Sequence, residues 1–253
     1  MNPFLDSVLK TRRVRSPQGG ERELGSEISL DEGYLLQEAI QLTQAVTTLE
    51  IGLWYGVSTL FICEAISGKP GAHHIVMDPN QFRDCDGIGL NNVKEAGYEN
   101  IVEFYGQSSH IVLPQLELKG VKVDFAFVDA SHLFDYTLLE FFYIDRILRT
   151  GGIIAFDDAS MPGVQKVIRF IITNRCYKVV QCIPASASWK QMAKHRLLKE
   201  VSRICPPLKQ LIRPELREPD IDRGFIPGAR YVALRKEADD SEDTRPWHFY
   251  HDF

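Results

Sequence analysis

The sequence predicts an α/β fold: a doubly wound, mostly parallel seven-stranded sheet with a helical insertion before the last strand. Three observations carry that expectation. Apolar, β-branched runs of strand length alternate with amphipathic stretches of helical period, the pattern of strand–helix–strand units. The strand candidates are near-continuous apolar runs, as in strands covered on both faces. Finally, TLEIGLWYGVST at 48–59 reads as a strand entering a glycine turn and then a helix. In a sheet of this kind that turn, at the carboxyl edge, is the usual place for a ligand.

The elements follow in order. The segment before Ile28 is polar and glycine-containing and reads as an arm or loose cover. SLDEGYLLQEAIQLTQAV sets Leu35, Leu36, Ala39, Ile40 and Leu42 at helical spacing. Ser29 is its N-cap candidate, with Glu32 three residues on. TTLEIG is a strand and STLFICEAIS a helix; HHIVMD is a strand and GLNNVKEAG a helix closed by glycine. NIVEFYG and KVDFAFVDA are strands, YTLLEFFYIDRILRTGG a helix and GIIAFDDA a strand. VQKVIRFIITN is a helix, YKVVQCI a strand and ARYVALRK the last strand. About 45 residues separate these last two strands, where a hairpin needs only a few. Within 190–217 lie eight Lys or Arg and two Glu, and Pro206, Pro207, Pro214 and Pro219 break the insert into short helical pieces. The expected organisation is an arm over 1–27, one domain over 28–237 that includes the insertion 185–228, and a tail over 238–253. The tail is acidic and then aromatic.

Composition narrows the function classes. The 253 residues, 44% apolar and 25% charged, describe an ordinary globule able to bury a full core. A net charge of -5 gives no overall pull toward nucleic acid or anionic lipid. The five cysteines are scattered without a C-x-x-C pair, which argues against a disulfide scaffold or structural zinc and fits a reducing cytosol. MNPFLDSVLKTRRVRS has no apolar core of signal length, and no apolar run approaches membrane-spanning length. A cytoplasmic protein without a membrane partner is expected.

The glycine turn fails the dinucleotide pattern G-x-G-x-x-G. Gly52 and Gly56 allow the tight bend and a close backbone approach. Glu50 would repel a pyrophosphate but suits a ligand carrying an ammonium group. S-adenosylmethionine carries an ammonium, a sulfonium and no phosphate. Asp78, ending the next strand, is placed to accept both ribose hydroxyls. Trp54 is either a wall of the cofactor pocket or simple packing. A plain strand–turn–helix without ligand is the bland alternative. His73 and His74, before the second strand, read as solvated loop.

VDFAFVDA and GIIAFDDA each end a strand in acid, which should bring Asp129, Asp157 and Asp158 to the carboxyl edge. Crowded carboxylates repel unless a cation or proton intervenes, and oxygen ligands suit Mg²⁺ or Mn²⁺. Such an ion would lower the pKa of a substrate hydroxyl, and His132 could take its proton. The alternatives are structural. Asp129 may cap the turn into the next helix, Asp158 or Ser160 the helix after it, and His132 may line a polar pocket. Asp157 and Asp158 can share an ion only if the chain is already turning there, since neighbours on a strand point to opposite faces.

ISLDEGYLLQEAIQLTQAVTTLEIGLWYGVSTL, YGQSSHIVLPQL, FVDASHLFDYTLLEF and LRTGGIIAFDDASMPG, in that order, resemble class I S-adenosylmethionine-dependent O-methyltransferases of the metal-dependent catechol and caffeoyl-coenzyme A type. D-x-x-H paired with D-D is closer to a branch acting on sugar and phenol hydroxyls of antibiotics. The resemblance covers about 28–172 and implies the Rossmann-like fold of that family. It implies Glu50, Gly52 and Ser58 around the methionine part, Asp78 at the ribose, and Gln107 and Ser108 beside the adenine. It further implies Asp129, Asp157 and Asp158 as metal ligands, with His132 as base where the catechol enzymes have lysine. Some sugar-methylating relatives have an aspartate where Ser131 stands here, so the base falls to His132 by elimination.

The expected function is O-methylation of a small hydroxylated molecule, assisted by a divalent metal. A metal-free methyltransferase of the same fold and a methyltransferase-like binding protein stand beside it. No N-P-P-[YF] motif follows the fourth strand, so nucleic acid is not the expected partner. The basic insert 190–217 is expected to serve as a lid or as a contact between copies in a homo-oligomer.

Overall fold

The computed structural model describes residues 1–25, 27–183, 223–225 and 228–239, with the isolated positions 193 and 197. The rest of the basic insert 190–217 and the tail from 240 onward lie outside the described residues. Seven strands form one sheet in the order β5-β4-β3-β6-β7-β9-β8. The expected mostly parallel α/β fold is borne out. The chain divides into two compact units: 1–130 with 139–153, and 131–138 with 154–253.

In the first unit, β3 (Thr47–Ile51) pairs in parallel with β4 (His73–Met77) and with β6 (Val123–Val128), and β4 pairs in parallel with β5 (Val102–Tyr105). Leu49, Ile75, Val76, Phe125 and Phe127 are fully or almost fully buried, as strands covered on both faces require. α2 (Leu30–Leu42) begins at Ser29 with a complete capping box: Ser29 accepts from the Glu32 backbone and Glu32 from that of Ser29. It packs on α3 (Val57–Ile66) where Gly33 lacks a side chain; a Cβ there would lie 2.5 Å from the Phe61 ring.

The N-terminal segment is a folded cover rather than a loose one. α1 (Pro3–Thr11) is capped by Asn2, whose side chain accepts from Phe4 N and donates to Ala96 O and Tyr98 Oη. β1 (Arg13–Arg15) and β2 (Glu21–Glu23) form an antiparallel hairpin, and Leu5, Val8, Val14 and Leu24 are buried. α4 (Ile88–Glu95) follows β4. α5 (Ser109–Leu118) follows β5 and contains Pro114, whose missing N–H makes the stretch read as a broken one. α6 (Phe134–Ile147) gives way directly to β7 (Leu148–Phe156). Residues 148–151, which read as the end of the helix, are therefore strand, with only Leu148 of them buried.

In the second unit, α7 (Pro162–Asn174) buries Val164, Val167, Ile168 and Ile171. β8 (Tyr177–Ile183) and β9 (Tyr231–Lys236) pair antiparallel, with a register shift between Val179 and Gln181. No helix among the described residues is long and apolar enough to cross a membrane.

Candidate functional site

The glycine turn is fixed from three sides within the first unit. Gly52 has φ +98°, and a Cβ there would lie 1.9 Å from the Asp129 carbonyl oxygen, so only glycine fits both the conformation and the space. Gly56 is the N-cap of α3 at φ 79° and offers no side-chain cap. Between them Trp54 sits at φ 46°, a left-handed conformation that costs a non-glycine residue about 1–2 kcal/mol.

Asp78 holds that conformation. Its Oδ2 accepts from the N–H of Trp54 at 2.9 Å and of Leu53 at 3.3 Å, and its Oδ1 from the N–H of Asn80 at 2.7 Å. Gln81 adds a bond from its amide to the Trp54 carbonyl at 2.8 Å, and the Trp54 indole donates to Gly25 O at 2.9 Å. Asp78 is thus a clamp on the turn, a role the sequence did not reveal. The N–H groups of Leu53 and Trp54, which a pyrophosphate would need, are already taken by a carboxylate.

Glu50 lies beneath the turn with no exposure. Ser58 and Thr59 donate to its two oxygens, and His74 Nε2 lies 3.0 Å from Oε2. His74 is therefore not solvated loop: it is the second residue of β4, fully buried, with Nδ1 2.9 Å from Thr48 Oγ1. The misplacement has a simple cause. His73 and His74 look polar, yet β4 begins at His73: the first residue stays half-exposed at the strand's start, and from His74 onward the strand is buried. His73 pairs with Glu103 at 3.0 Å.

Gln107 and Ser108 follow β5, with Ser108 as the N-cap of α5. The next residue, Ser109, donates at 2.7 Å to Glu140 of α6. Burial pushes the Glu140 carboxyl up to about 7, against the opposing pull of the Ser109 hydroxyl. Asp129 leaves β6 with its N–H bonded to Ile51 O at 3.0 Å.

The other candidate residues belong to the second unit. β7 ends at Phe156, and the chain has turned by Asp158, which has φ 48°. His132 has φ 55°, and its Nε2 lies 3.5 Å from Asp158 Oδ2. Two non-glycine residues in left-handed conformation facing each other mark a place where strain is retained. Gly163 lets the loop approach: a Cβ there would lie 2.9 Å from both His132 O and Phe134 N. The N-cap of α7 is Met161, with Pro162 in the first turn and no side-chain cap bond, so neither Asp158 nor Ser160 serves as that cap. Among the described residues no three His, Cys, Asp or Glu side chains form a group able to hold a metal ion.

A family model described as a methyltransferase domain matches residues 49–159. Over 161 residues the chain is 30% identical to an Arabidopsis thaliana protein assigned as a caffeoyl-CoA O-methyltransferase, a match covering 64% of this chain and 67% of that one. It is 29% identical over 147 residues to the caffeoyl-CoA O-methyltransferase of Populus kitakamiensis, covering 55% and 58%. The chain thus spans between 58% and 67% of the length of these plant relatives. The solved O-methyltransferase of Bacillus cereus in complex with S-adenosylhomocysteine shares the fold, with a TM-score of 0.62, 16% identity, and 93% and 92% of the two chains covered.

Proposed function

The chain belongs to the S-adenosylmethionine-dependent O-methyltransferase family, and we propose that it binds that cofactor at the glycine turn and methylates a hydroxyl of a small acceptor in the cytoplasm. The observation that carries the reading is the carboxylate-clamped turn. Asp78 occupies the N–H groups of Leu53 and Trp54, and Glu50 lies just beneath. Such a turn disfavours phosphate and suits a cationic ligand.

When bound, the cofactor supplies an electrophilic methyl group on a sulfonium. The chain's residues do the rest. Asp78 has four acceptor positions, three of them used by backbone N–H groups, and the remaining capacity suits a ribose hydroxyl. Gln107 and Ser108 flank the adenine, Trp54 walls the pocket, and Ser58 presents the first turn of α3. His132 takes the hydroxyl proton of the acceptor, and Asp158, 3.5 Å from Nε2, stabilises the imidazolium.

The finer reading, a divalent ion held by Asp129, Asp157 and Asp158, draws its support from the resemblance of the motifs. The His132–Asp158 pair favours the second reading, proton removal without a metal. Transfer of a labelled methyl group to a panel of phenols and sugars, with and without excess chelator, tests both. Turnover lost in chelator and restored by Mg²⁺ or Mn²⁺ supports the metal route; turnover that persists supports the histidine route. Absence of transfer to any hydroxylated compound, with the cofactor bound, would leave a binding protein.

A further inference from the structure

We infer that His74 is a positioning residue: acting through Glu50, it fixes the first turn of α3 and so sets the affinity of the turn for its cofactor. The inference rests on the proposed cofactor reading and deepens it.

The arrangement is a continuous buried chain. Thr48 stands opposite His74 in the parallel β3–β4 pair, and Glu50 follows two residues on, on the same face. From Thr48 Oγ1 the chain runs 2.9 Å to His74 Nδ1, then 3.0 Å from His74 Nε2 to Glu50 Oε2, and onward to the hydroxyls of Thr59 and Ser58. Thr48, Glu50, Thr59 and His74 have no exposure, and Ser58 only 7%.

Among the described residues, no side chain caps the start of α3. Its N-cap is Gly56, which has no side chain to bond the first orphan N–H groups. Ser58 and Thr59 are instead tied from below by the Glu50 carboxylate. Both Glu50 oxygens are engaged within the chain, so Glu50 acts on a ligand through the turn and through its charge. That charge is felt further along α3. Burial first, and Glu50 second, hold the Cys63 thiol well above its ordinary value. A buried carboxylate keeps one geometry only while its donors are in place. Remove the His74 bond and Oε2 keeps a single donor, free to turn Thr59 and Ser58 with it.

The test is titration calorimetry with S-adenosylhomocysteine on the full chain, with thermal unfolding in parallel. The variants are His74→Leu, His74→Gln, Thr48→Val, Ser58→Ala and the double variant His74→Leu/Ser58→Ala. The parent protein must bind; failure there overturns the cofactor reading, and with it this inference, and is recognised by the parent alone. Given binding by the parent, His74→Leu should weaken it by about tenfold or more, and His74→Gln, which keeps a donor, should return to within about threefold. The double variant should lose little more than either single one, because both act on one chain. If His74→Leu does not fold, Thr48→Val takes its place in the same cycle with Ser58→Ala, with the same non-additivity expected. Binding by folded His74→Leu within about twofold of the parent overturns the inference. So do fully additive losses, or a His74→Gln variant as weak as His74→Leu.

Discussion

The Glu50 carboxylate is buried and is held by the hydroxyls of Ser58 and Thr59 and the ring of His74. Glu50→Ala strands all three partners in the core. Urea unfolding should show a loss of about 1–3 kcal/mol or more, the usual cost of leaving buried hydrogen-bonding groups unsatisfied. Glu140 gives a second test. Its carboxyl is raised from 4.5 to about 7, chiefly by burial. A raised carboxyl favours the folded state while protonated, so this contribution is complete below about pH 4.5 and is lost as pH rises through about 7. Stability measured across that window should fall by roughly 3 kcal/mol from this group, and Glu140→Gln should flatten the slope. His132 is tested by rate. His132→Ala should cost about 10²–10⁴-fold in methyl transfer and leave S-adenosylhomocysteine binding in place.

Among the elements, the turn between β3 and α3 is the most exacting. Gly52→Ala puts a methyl group against the Asp129 carbonyl in a conformation that side chains avoid. S-adenosylhomocysteine binding should be lost in that variant even where circular dichroism is retained. Asp78→Ala should weaken the same binding by more than a ribose bond is worth, because it also releases Leu53, Trp54 and Asn80. The sequence made the core elements legible because apolar runs and helical periods report burial directly, and Ser29 with Glu32 announced the start of α2. It hid α5, because Pro114 reads as a breaker, and it hid the N-terminal hairpin, whose strands are three residues each with one inward position. Within the site, the acids and glycines were visible as types at strand ends. Which group each acid faces was not. Asp78 bonding the turn, Glu50 facing His74 and Asp158 facing His132 depend on partners distant in sequence.

For the molecule as a whole, the open chemical question is the route of the proton. Chelation separates the metal and histidine routes. The cofactor turn is common to both routes and is the more fundamental claim. Its most direct test is calorimetric titration of the intact chain with S-adenosylhomocysteine and, separately, with NAD. The expected result is saturable one-to-one binding of S-adenosylhomocysteine, weakened by Asp78→Ala, and no heat from NAD. Saturable NAD binding with no response to S-adenosylhomocysteine would contradict it.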